Sequence, residues 1–184
     1  MANEVRVGTK NNLSEKIVDV LHDHCHFGKM NFVSVPFFTV ANGGSANVLI
    51  CTSTNDEVHF RYSIDTFCPS ILKLYEGTVI NSSNYGTVYS PINLNRNFTT
   101  SADTVMFAGS NSTGGSLGTL LFTHLMVGST GGGVGVFDKS SVGSEASSNI
   151  EWILKKNTNY FLSIVNTSGI VGDYEFETDF YEVA

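Results

Sequence analysis

In the segment 173–183, DYEFETDFYEV, the residues up to Phe180 alternate between aromatic or Thr and acidic. In an extended chain successive side chains point to opposite faces, so Tyr174, Phe176, Thr178 and Phe180 fall on one side. Glu175, Glu177, Asp179 and Tyr181 fall on the other. The first face is aromatic and has to be buried, while the second is acidic and belongs in water. Such a segment needs a sheet with one covered face and excludes an amphipathic helix.

The same rhythm runs back through the chain. MNFVSVPFFTV (30–40), NVLIC (47–51), VHFRYSI (58–64), ILKLYEG (71–77), GTVYSPI (86–92), TVMFAG (104–109) and GTLLFTHLMVG (118–128) read as strands separated by turn signals. IEWILKKNTNYFLSIVNTSG (150–169) reads as strand, Lys-Asn-Thr-Asn turn and strand. Pro36 and Pro91 interrupt strand-like runs and so belong at edges or bulges. About nine or ten short strands with turn signals roughly every 8–12 residues predict an all-β fold, a two-sheet antiparallel sandwich of jelly-roll type. Composition agrees: 18 Gly, 13 Phe and 7 Tyr with only 15% charged residues is the make-up of a globular β protein. Residues 1–12 are polar and lack apolar periodicity, which predicts an extended N-terminal arm followed by one β-sandwich domain over 13–184. The Gly- and Ser-rich stretch 129–148 predicts a long surface loop, with a short strand at VGVF (134–137).

Charge narrows the partners. A net charge of −7 with no run of Lys or Arg gives nothing to track a phosphate backbone, which argues against nucleic acid. No stretch approaches the roughly 18–20 apolar residues of a spanning helix, and the polar start predicts synthesis in the cytoplasm without membrane insertion. Cys25, Cys51 and Cys68 then read as three reduced thiols.

HDHCHFGKMNF (22–32) packs potential metal ligands closely. EKIVDVLHDH (15–24) fits either helical or strand spacing, and the strand is the preferred reading, which places His22, His24 and His26 on one face. An H-x-H pair on a strand is how cupins, themselves jelly rolls, present two metal ligands. Here the carboxylate a cupin needs soon after the second His is missing, since the next acidic residue is Asp56. The expectation is therefore no metal and no cofactor, with the three histidines as the only candidate ligands. No G-x-S-x-G elbow occurs, GSTGGG lacks the Lys of a phosphate loop, and the period-two carboxylates lie on a solvated strand face. No enzyme is expected. INLNRN (92–97) places Arg96 among Asn93, Asn95 and Asn97. Asn side chains bond back to the backbone to hold turns, which predicts a structural turn whose guanidinium pairs with Glu76 or reaches a partner.

Seven fragments, in order, carry a resemblance: HCHFGKMNF (24–32), VHFRYSI (58–64), LYEGT (74–78), NLNRN (93–97), GTLLFTHLMVGSTGGG (118–133), EWILKKNTNYFLSIVN (151–166) and FYE (180–182). Together they resemble the small decoration, or cementing, proteins of tailed-bacteriophage heads. In that family an L-Y-E-G-T strand, an N-R-N turn, an E-x-I-L-K-x-N-T-x-Y hairpin and a W-Y-E ending recur. Phe180 replaces the usual Trp of the ending, and Cys25, Phe27 and Lys29 depart from the family's pattern around the early His-Gly.

The resemblance implies a virion structural protein that binds the capsid exterior as a homotrimer and clamps neighbouring copies of the major capsid protein. It makes Glu76, Asn95, Arg96, Asn97, Trp152, Tyr160 and Tyr181 candidates for structural or interface roles. Val5, Arg6, Val7 and Lys10 of the arm become candidates for capsid contact. Two alternatives stand beside it. One is a glycan- or receptor-binding module displayed on the virion, for which Tyr85 and Phe137 are the obvious loop aromatics. The other is a cupin-like metalloprotein using His24 and His26.

Overall fold

The computed structural model describes residues 20–66, 68–99, 102–109, 115–126, 140–142 and 151–183. Two antiparallel sheets pack face to face as a sandwich. The first contains, from one edge to the other, β10 (Trp152–Leu154), β3 (Glu57–Thr66), β12 (Gly172–Val183), β1 (Met30–Val40) and β6 (Ile92–Asn93), with β9 (Ser140–Val142) also on β3. The second runs β5 (Thr87–Tyr89), β7 (Val105–Ala108), β2 (Ser45–Cys51), β11 (Asn159–Asn166), β4 (Ser70–Glu76) and β8 (Thr119–Met126).

β12 lies between β1 and β3, and its alternation is resolved as the sequence demands as far as Phe180, whereas Tyr181, expected on the acidic face, is buried between His24 and His59. Tyr174, Phe176, Thr178 and Phe180 are buried against the second sheet, whereas Glu175, Glu177 and Asp179 lie half-buried on the outer face. Asp179 is held there by the Arg61 guanidinium of β3, its direct cross-strand neighbour. Pro36 has no N–H for the ladder, and the β1–β12 register slips between Val35 and Phe38, a bulge that accommodates it. Pro91 falls in the break between β5 and β6.

The runs that did not alternate also find their reason. β2 and β11 put Val48, Ile50, Leu162 and Ile164 into the main core, while Leu49 and Phe161 are buried on the opposite face of the same sheet. There Ile80, Tyr85 and Leu117 roof them, so both strands are apolar on two sides. At one edge, Trp152 of the first sheet stacks on Phe122 of the second at 5.4 Å, and Phe122 on Tyr62 at 6.4 Å. Those three rings close the seam between the sheets.

Three expectations are corrected. Residues 20–26 form a helix, α1 (Val20–His26), in place of a strand. β10 and β11 do not pair as a hairpin: the turn between them carries the chain from one sheet to the other. Asn157 in that turn has φ 50°, a left-handed conformation that Asn tolerates better than most residues. GTVYSPI splits into two short strands on different sheets. The arm with Val5, Arg6, Val7 and Lys10, and VGVF with Phe137, lie outside the described residues.

The burial asymmetry of β12 gives a direct test. Phe176→Ala should cost about 3–5 kcal/mol, read as a lower urea midpoint at unchanged slope. Glu177→Ala, one residue further on, should stay within about 0.5 kcal/mol of wild type.

Candidate functional site

α1 explains how HDHCHFG is built. Gly28, at φ 67°, ends the helix: its N–H donates to Cys25 O at 3.0 Å, and the Lys29 N–H donates to His24 O at 2.9 Å. That pair of bonds is a Schellman cap, and its left-handed position favours glycine. The histidines consequently do not share a face. His22 and His26 stand one turn apart, with their Nε2 atoms 2.9 Å from each other. His24 turns inward and stacks on Tyr181 at 4.0 Å, which stacks in turn on His59 at 4.5 Å. The Tyr181 hydroxyl lies 3.0 Å from His59 Nδ1, and a Glu151 carboxylate oxygen lies 3.3 Å from the same nitrogen. Burial, then Lys29, lowers the His24 pKa. Burial, then the Glu151 carboxylate, raises that of Tyr181. Among the described residues no group of three or more His, Cys, Asp or Glu is placed to hold a metal ion. The strand geometry that the cupin reading requires is absent at these histidines.

The NLNRN turn latches onto the end of this helix. Asn93 Nδ2 donates to Gly28 O at 2.6 Å and Asn95 Nδ2 to His26 O at 3.0 Å. Asn93 Oδ1 accepts the Asn95 N–H at 2.9 Å, and Asn95 Oδ1 accepts the N–H and the side-chain amide of Asn97. Carbonyls that the helix leaves open are thereby satisfied by side chains from a distant segment. Arg96 is exposed at the tip of the turn.

Glu76 is not the partner of Arg96. It lies on β4 of the second sheet opposite Tyr160, while Arg96 follows β6 of the first. Its carboxylate accepts Lys155 Nζ at 2.7 Å and the Tyr160 hydroxyl at 3.0 Å. The Tyr160 oxygen also accepts the Lys155 N–H at 2.9 Å. The Lys155 hydrogen bond holds the Glu76 carboxyl below its ordinary range, and burial pushes Tyr160 up to about 12. Beside this triad, Gly77 and Thr78 both donate their N–H to Asn159 O, and Asn159 Nδ2 returns a bond to Thr78 O.

Of the other candidates, Tyr160 and Tyr181 are buried and half-buried Trp152 seals the sheet edge, so all three act as framework. Tyr85 packs on Phe107 at 4.9 Å and roofs the outer cluster while staying half-buried.

The residues of this region that sequence reading passed over are apolar. Phe27 is 64% exposed, Ile92 52%, Leu94 43% and Phe98 41%. All four lie where α1 ends against the NLNRN turn, with Arg96 and Lys29 exposed among them. The Phe98 ring lies directly over Gly28. Large apolar side chains left exposed beside a hydrogen-bonded turn are the kind of feature that marks an interaction surface. The available signal was the spacing itself: Ile92, Leu94 and Phe98 are large apolar residues in a stretch otherwise as polar as a solvated turn.

Removing the latch should loosen the helix locally. Asn95→Ala should speed amide hydrogen exchange across residues 20–29 and leave the β4–β11 ladder protected. The Glu76 triad predicts a pH effect. A carboxyl whose folded pKa is depressed contributes stability above its ordinary value near 4.5, and that contribution is lost as pH falls through the folded pKa. In urea titrations the gap between wild type and Glu76→Gln should therefore be widest near neutrality and close between about pH 5 and pH 3.

No protein-family model matches this chain, and no curated protein matches it. What the chain does has to be read from its own geometry.

Proposed function

We propose that this protein is a virion structural protein that decorates the outer surface of a phage capsid as a homotrimer and cements the major capsid protein lattice. The observation that carries the reading is that the fragments resembling the decoration proteins meet one another in space. HCHFGKMNF is latched to NLNRN through Asn93 and Asn95. LYEGT is latched to EWILKKNTNY through Glu76, Lys155, Tyr160 and Asn159. FYE is tied to VHFRYSI through Tyr181 and His59. Fragments that co-occur because they touch form one structural framework, which supports a shared fold better than seven short matches scored separately.

The strand order supports the jelly-roll form of that fold. β1-β12-β3-β10 in one sheet faces β2-β11-β4-β8 in the other, and the chain changes sheet at each step from β1 to β4 and from β10 to β12. Two interlocked Greek keys have this order. The exposed apolar cluster around Arg96 supplies a rigid contact face. Standard-size contacts bury about 800 Å² per partner, and three linked subunits need less from each one because their attachments act together.

Size-exclusion chromatography with light scattering should give a mass of three chains, and the protein should co-sediment with expanded capsids. A monomer at micromolar concentration that fails to co-sediment overturns the reading. Leu94→Asp should locate the contact. Loss of the three-chain mass puts the cluster between copies, and loss of co-sedimentation at intact mass puts it against the shell.

A further inference from the structure

We propose that His22 and His26 form a chelating site for a late first-row divalent cation, of the Ni²⁺ or Cu²⁺ class, on the exposed face of α1. Residues four apart on a helix face each other, and here the two Nε2 atoms are hydrogen-bonded to each other at 2.9 Å with the ring planes at 74°, so a metal ion taking up both nitrogens displaces the proton that they share. Two nitrogens 2.9 Å apart subtend about 90° at an ion about 2.05 Å from each. That is the angle between neighbouring ligands in a square-planar or octahedral complex. A tetrahedral zinc site needs a wider angle, so the pair suits Ni²⁺ and Cu²⁺ better, and the general order of metal affinities favours the same ions.

The surroundings suit a cation. Both histidines are exposed, which leaves water to fill the remaining coordination positions. Asp23, exposed on the same turn, adds negative charge in a chain whose net charge is −7. His24 takes no part, because its ring is stacked on Tyr181.

Bound there, the ion would clip one full turn of a seven-residue helix, too short to be stable alone. α1 sets Phe27 and Gly28 beneath the NLNRN turn, so the clip would also stiffen the exposed apolar cluster. The site stands on the histidine geometry alone and does not depend on the capsid reading.

The test uses the full chain purified without a polyhistidine tag and stripped with chelator. Ni²⁺ is the probe, which avoids copper oxidation of the free Cys25 thiol. Calorimetry should show one Ni²⁺ per chain, and the melting temperature should rise with Ni²⁺. His22→Ala and His26→Ala should each weaken binding by on the order of tenfold or more, since even an outer-shell loss at a metal site costs about that much. His124→Ala, on distant β8, should leave binding unchanged, and circular dichroism should show all three variants folded. Absence of saturable Ni²⁺ binding, or equal binding by folded His22→Ala and wild type, overturns the proposal.

Discussion

The structure depends on the last strand being central. β12 pairs along almost its whole length with β1 on one side and β3 on the other, and its aromatic face fills the space between the sheets. Without it the first sheet has no middle. Neighbours of β12 lie more than 100 residues away in sequence, so the core closes only after long loops have been closed at an entropic cost. Burial of Tyr174, Phe176 and Phe180 has to offset that cost, which is why these positions are large, aromatic and fully enclosed.

Around this core, polar side chains do the joining. Asn93 and Asn95 satisfy carbonyls at the end of α1. Asn166, fully buried, donates to Val40 O and Ile170 O and accepts from Ser168. The Thr52 hydroxyl shares its one proton between Lys155 O and Thr158 O, at 2.8 and 2.9 Å, at the corner between the sheets. Each junction needs a short amide or hydroxyl because the chain there leaves regular structure and its backbone groups lose their ladder partners. The abundance of Asn, Ser and Thr in this sequence therefore reports the number of such corners as well as the number of solvated loops.

The same reasoning accounts for the rigid surface at the end of α1. A helix of seven residues, a glycine cap and a five-residue turn would each be marginal alone. Linked by side-chain amides, with the Phe98 ring over Gly28, they leave Phe27, Ile92 and Leu94 exposed. Pre-ordering of a surface lowers the ordering cost of any contact made there.

The sequence by itself determined what depends on neighbours along the chain: the strand periodicity, the two-faced character of β12, the bulge at Pro36 and the sandwich class. These follow from side-chain alternation and turn chemistry, both local. Only the tertiary structure decided that residues 20–26 coil into a helix, because the groups that stabilise its end, Asn93 and Asn95, lie about seventy residues away. Helical spacing then sets His24 apart from His22 and His26, and the tertiary structure alone gave Glu76 to Lys155 and Tyr160. It also sent β10 and β11 to opposite sheets. In each case the deciding contact spans two sheets or a long stretch of chain, and no local pattern of residues encodes which distant partner arrives.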